Sequence, residues 1–571
     1  MGRKLFTRVI LFVLISVGSL NLLAQPVFNP YAYFSRKKII CQHGAVVCAH
    51  PLASQVGVSI LRQGGNAVDA AIATQLALAV VYPEAGNIGG GGFMVAVLAN
   101  GRKVTLDYRE KAPLRSTKDM YLDAQGNALT SLSQNGHLAC GVPGTIAGIF
   151  ESLKYAKLPF KKLIQPAIDL AEKGYVITAA EAKNLNGSQE IFRKYNTVMP
   201  VFVSDHPWKQ GDTLFQRDLA KTLRLIRDYG AKGFYEGETA RLIVDEMQRG
   251  RGIITYEDLR SYTAIERDPM VFDYKKYYTV VTMPLPSSGG ILLPQMMRMI
   301  EDQPLKSYGF ESLKSVHLMT EIERLAYADR AKYLGDRDFY KVPVKTLISY
   351  PYLYKRMELY RPDSAGNSNK MEAGVISIEK EETTHLDVYD SEGNAVSITT
   401  TLNGGYGCKT VVGGAGFFLN NEMDDFSIKP GIPNMYGAVG AEANAIVPGK
   451  RMLSSMTPTI VLKMGKPFLV VGTPGGTTIT TSVFQTIVNI LEFDLSADDA
   501  VNKPKFHHQW MPDVIFVEKD FPQPLRDELL KMGYKISQRE AIGRTEVIQI
   551  LPGGRIEAVG DKRGDDAAEG Y

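Results

Sequence analysis

The chain has 571 residues, with 65 Lys+Arg against 61 Asp+Glu and a formal net charge of +4. Its basic residues form no block, which argues against nucleic-acid binding. A hydrophobic share of 45% is ordinary for a globular protein, and the length suffices for one large core or several ordinary domains.

At the N-terminus, Arg3, Lys4 and Arg8 form a basic head, Val9 to Leu23 is apolar, and Ala24-Gln25 offers a cleavage point. This pattern reads as an export signal over residues 1–24, although Leu22 departs from the small residue usual three positions back. As a membrane anchor the stretch falls short of the ~20 residues a spanning helix needs, and Ser16, Gly18, Ser19 and Asn21 dilute it. The expectation is an exported protein, periplasmic or secreted, with no stable membrane insertion once the leader is removed. Cys41, Cys48, Cys140 and Cys408 lack a framework spacing. Free buried thiols are expected, with a Cys41–Cys48 link as the alternative.

Further along, Cys48-Ala49-His50-Pro51 leads into a helix, and Gly64-Gly65-Asn66 caps an Ala-rich, largely buried helix from Ala67 to Val81. The run Gly89-Gly90-Gly91-Gly92 precedes an apolar strand, Phe93 to Leu98, and an Asn100-Gly101 turn leads to a second strand ending at Arg109. Four glycines before a strand do not make a phosphate cradle, which needs a strand-to-helix turn; close backbone packing is the better reading. Residues 145–360 are mostly helical in pattern, with helices expected at Phe160–Lys173, around Glu257-Asp258-Leu259, and along the Leu318–Tyr333 face. The loop Met283 to Gly290 separates a strand from a helix. Arg361 to Lys380 reads as a polar, exposed linker.

After this run the pattern alternates. Leu386 and Val388 share one parity, a turn cluster spans Asp390 to Asn394, and Ala395 to Leu402 is rich in β-branched residues. A hairpin turning at Glu392 sets Thr383 opposite Thr401. Paired threonines are usually plain strand formers, but here one heads a strand behind a linker. A cut before it frees an α-amine, which titrates near ~7.7–8.0 and can act as the base for the residue's own hydroxyl. Thr384 competes for this role on the residues alone. Beyond lie a hairpin, Thr459–Met464 with Pro467–Val471, and a helix from about Thr480 to Leu491. Helices and strands without regular βαβ alternation favour stacked antiparallel sheets covered by helices.

The blocks TTHLDVYDSEGNAVSITTTLN and FFLNNEMDDFSIKPGIPNMYG resemble the γ-glutamyltransferases, members of the N-terminal-nucleophile hydrolases. So do GGNAVDAAIA, GGGGFM, LDYREKAP, GVPGT, PSSGG, MLSSMTPTIV, GTPGG, PKFHHQW and the terminal GY, in order along nearly the whole mature chain. The resemblance implies an α+β fold, a four-layer αββα sandwich. It implies self-cleavage between Glu382 and Thr383 into a large subunit (25–382) and a small one (383–571) that stay together as a heterodimer. The implied activity removes the γ-glutamyl group of glutathione or related amides and passes it to water or to an amino-acid or peptide amine.

Site residues follow. Thr383 is the expected nucleophile, oriented by Thr401. Val471 to Gly476 joins a strand to a helix, where backbone N–H groups and the helix dipole can hold an oxyanion; a tight turn needing positive φ is an equally good reading of the residues. The resemblance selects Gly475 and Gly476. A γ-glutamyl group carries a carboxylate and an ammonium. Arg109 suits the first, helped by Ser454 and Ser455; Asn403, Glu422 and Asp425 suit the second. Pro430 to Gly437 is a Gly/Pro-punctuated loop that the resemblance makes a lid gated by Tyr436. Eight scattered histidines lack a His-Glu-x-x-His pattern, and His507-His508 on a strand would face opposite ways. No metal and no organic cofactor is expected. Two alternatives remain: an acylase of the same superfamily acting on β-lactam side chains, and a processed but inactive binding protein.

Overall fold

The computed structural model describes residues 28–370 and 383–571. The leader assigned to residues 1–24 and the residue Glu382 lie outside them. Two seven-stranded sheets, antiparallel throughout, dominate the architecture. The first runs Lys38–Cys41, Ile556–Val559, Glu546–Ile550, Lys466–Gly472, Thr459–Lys463, Tyr278–Thr282, Met270–Tyr274. The second runs Ala567–Gly570, Ala45–Cys48, Thr384–Tyr389, Ala395–Thr401, Gly91–Val97, Lys103–Asp107, Ile265–Arg267.

Side-chain alternation welds the sheets together and to their helices. On the second sheet, Val46, Cys48, Met94, Ala96, Leu386 and Val388 pack with the helices Pro51–Arg62 and Ala67–Val81 in one core. Their neighbours Val47, Phe93, Val95 and Val97 turn the other way and join Val461, Val470 and Ile548 of the first sheet in a second core. That core continues to the helices Gly289–Ile300, Leu313–Tyr333 and Thr478–Leu491 on the far side. The result is the αββα layering expected, because each strand must bury both faces.

Local chemistry explains the element ends. Asn66 caps the Ala67–Val81 helix, its side chain accepting from the Asp69 N–H while Asp69 returns a bond to the Asn66 N–H. His50 caps the helix at Pro51. The glycine run enters its strand two residues earlier than expected, at Gly91, and the strand ends at Val97. Close approach is indeed its reason. A Cβ on Gly89 would lie 2.1 Å from the Phe418 carbonyl oxygen, and on Gly92 2.5 Å from that of Thr399.

The hairpin register is as expected: Thr384 pairs with Thr400 and Leu386 with Ile398. One expectation needs correction. Of the expected exposed linker from Arg361 to Lys380, residues 371–380 lie outside the described ones, and within the described part Ser368 is fully buried. Its N–H donates to Asp513 Oδ2 at 2.9 Å and its hydroxyl accepts from Arg324 at 2.5 Å. A polar stretch can be anchored by buried partners that come from far away in sequence, which local pattern does not reveal.

Candidate active site

The parity of the hairpin decides where its polar residues go. Leu386 and Val388 face the helices, so the odd positions of that strand face the gap between the sheets. There His385 bonds Asp387 Oδ1 at 2.9 Å and Thr399 Oγ1 at 2.8 Å. Burial pushes the Asp387 carboxyl above its usual range. Thr383 continues this odd series and Thr401 continues the series of Ser397 and Thr399. Both threonines, buried, line one cleft at the ends of these strands.

Five further segments close the cleft. Arg109 arrives at the end of the Lys103–Asp107 strand, and Ser454-Ser455 precede the Thr459–Lys463 strand. Gly475-Gly476 link the Lys466–Gly472 strand to the Thr478–Leu491 helix. A short turn, Glu422–Asp425, and the segment carrying Asn434 and Tyr436 complete the wall. Of the residues singled out from sequence, Arg109, Thr383, Thr401, Asn403, Glu422, Asp425, Tyr436, Ser454, Ser455 and Gly476 all line the cleft. Gly475 stands one residue back from the wall.

Arg109 is not the surface cation that isolated arginines usually are. It is buried, with Nη1 2.5 Å from Glu422 Oε2 and Nη2 bonded to Asp425 Oδ2. It also donates to the carbonyls of Met452 and Leu453, each at 3.3 Å. Burial opposes its charge, but Glu422, Asp425 and Glu110 outweigh that and raise its pKa. The carboxyls respond to the same environment. Burial pushes Glu422 well above the usual carboxylate range, with Arg109 restraining it, and raises Asp425 likewise. Behind them, buried Glu110 is pushed up to about 8. The cation and the acids, expected to serve separate ends of a ligand, are thus one ion-paired cluster.

The remaining groups are held in place. Asn403 adopts a left-handed conformation at φ 74°, tolerated by asparagine. Its N–H donates to Thr401 Oγ1 at 2.7 Å, and its carbonyl accepts from the Tyr436 hydroxyl at 2.6 Å. Asn434 donates to Asp425 Oδ1 at 2.9 Å, and the Met435 N–H donates to Asp424 Oδ2 at 2.8 Å. The Pro430–Gly437 segment therefore lies against the cleft, tied to the acidic turn. Ser454 Oγ accepts from the Met456 N–H, and Ser455 Oγ accepts from Arg330 Nη2 at 3.2 Å. Gly475 and Gly476 have φ of 135° and 50°, so the turn needs glycine for its backbone and also turns Gly476 to the cleft. The tight-turn reading of that motif is the one the backbone shows.

The sequence profile described as Gamma-glutamyltranspeptidase matches residues 53–571. The chain belongs to this family. The glutathione hydrolase proenzyme of Escherichia coli (strain K12) is 44% identical over 573 residues, 99% of each chain. Among solved structures, Helicobacter pylori gamma-glutamyltranspeptidase is 47% identical with a TM-score of 0.55, covering 57% of this chain and 93% of that one. A cephalosporin acylase from Bacillus halodurans superposes with a TM-score of 0.80 at 26% identity, covering 96% of this chain and all of that one.

In this member of the gamma-glutamyltranspeptidase family, three polar cleft residues were not foreseen. Arg330 lies on the Leu313–Tyr333 helix, whose residues read as core; its Nε also donates to Ser288 Oγ at 3.3 Å. Burial lowers its pKa from the ordinary arginine value. Asn434 sits inside the segment read only for its Gly/Pro punctuation. Thr477 directly precedes the helix and donates to Gln509 Oε1 at 2.7 Å. Gln509, in the PKFHHQW block, also donates to the Tyr436 carbonyl at 3.2 Å. It thereby joins the Tyr436 segment to the turn after Gly476. The signal was present in that block, but its polar residue had no local partner to mark it. His507 and His508 make separate contacts, with Thr481 and Asp513 respectively, although the strand ends at His507 and does not include His508. Among the described residues no group of three or more metal-ligating side chains converges.

Proposed function

We propose that this chain is a γ-glutamyl hydrolase and transferase, made as a precursor cut between Glu382 and Thr383 into chains 25–382 and 383–571. The observation that carries this reading is the convergence of Thr383, Thr401 and Gly476 with the Arg109–Glu422–Asp425 cluster in one cleft. Family membership and 44% identity to a glutathione hydrolase proenzyme support it.

In the precursor, Thr383 Oγ attacks the Glu382 carbonyl carbon, and the acyl group passes from nitrogen to oxygen. Water then opens the ester, leaving a free Thr383 amine. In the mature enzyme that amine takes the Oγ proton as Oγ attacks the γ-carbonyl of the substrate. The oxyanion forms against backbone N–H groups of the Gly475-Gly476 turn, an arrangement worth about 3 kcal/mol per donor in related chemistry. The amine returns the proton to the departing amide nitrogen. Water or an acceptor amine then takes the γ-glutamyl group from the ester.

Recognition works by ion-pair exchange. A γ-glutamyl head brings one carboxylate and one ammonium, the complement of Arg109 and its acids. Arg109 turns to the carboxylate with Ser454 and Ser455; Asp425, Glu422 and Asn403 receive the ammonium. Every charge buried on binding is then paired, as burial demands. Tyr436, hydrogen-bonded to the backbone beside Thr401, covers the acyl group against bulk water.

An acylase for amine-free dicarboxylates is the second reading, favoured by the TM-score of 0.80 to a cephalosporin acylase. Asp425 in the cleft argues against it, because a glutaryl group supplies no cation for that carboxylate. Assaying γ-glutamyl-p-nitroanilide beside glutaryl-p-nitroanilide separates the two. The γ-glutamyl compound should release nitroaniline far faster; a preference for the glutaryl compound would reverse the assignment, and no release from either would favour an inactive protein. Export remains part of this proposal, resting on the basic and apolar pattern of residues 1–24.

A further inference from the structure

Each of the four cysteines is a buried free thiol, but they fall into two kinds. Cys41 donates to the carbonyl of Gly44 three residues on. Cys48 contacts Ser54 Oγ and donates to the His50 carbonyl. Both are satisfied by their own neighbourhood, and the expected alternative of a Cys41–Cys48 link gains no contact. Cys140 and Cys408 instead meet each other: their sulfurs are 3.3 Å apart although 268 residues separate them in sequence.

The backbones on either side of this contact are fixed. The Gly136 N–H donates to the Cys408 carbonyl at 2.8 Å. Gly141 donates to Asn420 Oδ1 and accepts from Asn420 Nδ2, each at 2.8 Å. The Cys408 N–H donates to the Leu419 carbonyl at 3.0 Å. Two thiols so held need to approach by on the order of 1 Å to reach the ~2.05 Å of a disulfide.

We propose that Cys140 and Cys408 form a disulfide that covalently joins the segment 136–141 to the loop 403–421, and so the two chains that a cut before Thr383 would produce. The bond itself does not depend on that cut; only its role as an inter-chain link rests on the proposed maturation. Because both sulfurs are sealed in the folded protein, exchange takes place before the 403–421 loop docks. The Cys408 thiolate attacks a low-molecular-weight disulfide and releases one thiolate. Cys140, losing its proton, then attacks Cys408 Sγ and releases the second, so two thiols are oxidised as one small disulfide is reduced to two thiols. The seam lies directly behind the cleft: a Cβ on Gly141 would be 3.0 Å from the Glu110 side chain.

The test is cysteine accounting on the full chain, produced with its leader in an oxidising compartment and quenched with N-ethylmaleimide in denaturant. Two cysteines should be alkylated before reduction and two more after it, and a peptide digest should contain one cross-linked pair holding Cys140 and Cys408. On a denaturing gel, fragments that separate with dithiothreitol should run together without it. In Cys140→Ser or Cys408→Ser, all three remaining cysteines should react before reduction and the oxidised protein's advantage of several degrees in melting temperature should vanish. Four thiols free in the wild type, or a bond involving Cys41 or Cys48, overturns the proposal without reference to either variant. A single uncut band with the cross-linked peptide present would instead leave the disulfide standing and remove the maturation scheme.

Discussion

The backbone of Gly90 lies directly against the carbonyl of Thr401. A Cβ placed on Gly90 would stand 2.0 Å from that oxygen and 2.8 Å from Asn87 Oδ1, which itself accepts from the Gly90 N–H at 3.0 Å. The glycine run thus serves the strand that carries Thr401: it lets Gly91–Val97 pair closely with Ala395–Thr401.

Gly90→Ala therefore displaces a carbonyl that cannot move without shifting Thr401. The variant should lose about 2 kcal/mol or more of stability, seen as a melting temperature lower by several degrees, and should be cut slowly or not at all. Thermal melts and a denaturing gel time course check this. Wild-type stability and cutting would show that the strand yields easily.

Asp425→Asn removes one of the three carboxylates on Arg109 and the charge proposed to meet the ammonium. A charge-assisted hydrogen bond is worth about 1.5–3 kcal/mol. Hydrolysis of γ-glutamyl-p-nitroanilide, measured as kcat/KM, should fall about 10- to 100-fold, with glutaryl-p-nitroanilide much less affected. Equal losses on both would place Asp425 outside recognition.

Glu110 gives the cleft a stability signature in pH. Its carboxyl ionises near 4.5 when unperturbed and at about 8 in the fold, where burial disfavours the charge. Between these values the folded chain holds a proton the unfolded chain has lost. The stabilising contribution is complete below about pH 4.5 and is lost as pH rises through about 8. Glu110→Gln should flatten this fall: between pH 5 and 8.5 its melting temperature should decline less than that of the wild type. Parallel declines would mean that Glu110 is already ionised at pH 5.

Gln509 tests the coupling between the Tyr436 segment and the turn after Gly476. Its Oε1 accepts from Thr477 and lies 2.9 Å from His507 Nε2, while its Nε2 reaches the Tyr436 carbonyl. Burial pushes His507 down to about 3, so its ring is neutral at working pH. Gln509→Leu should retain the fold and be cut, yet lose about tenfold in kcat/KM as the segment comes away. Unchanged kinetics would make this contact incidental.

Much of this arrangement is legible in the sequence where the determinant is local. Strand alternation sets the hairpin register, with Thr384 opposite Thr400, and cap chemistry sets the start of the helix at Ala67. Contacts that depend on distant partners were not readable. Arg330 hides on a helix whose neighbours are apolar, Ser368 is held by Arg324 and Asp513, and Cys140 finds Cys408 only after the sheets stack. The pairing of Arg109 with Glu422 and Asp425 belongs to the same class: each charge was visible, but their mutual neutralisation follows from three segments meeting.

N-terminal sequencing combined with intact mass of the purified, active protein bears most directly on the catalytic scheme. Two chains should be found, the smaller beginning Thr-Thr-His-Leu-Asp and extending from Thr383 to Tyr571, with Thr383→Ala giving a single inactive chain. Full activity in a protein whose backbone is continuous from residue 382 to 383 would contradict it.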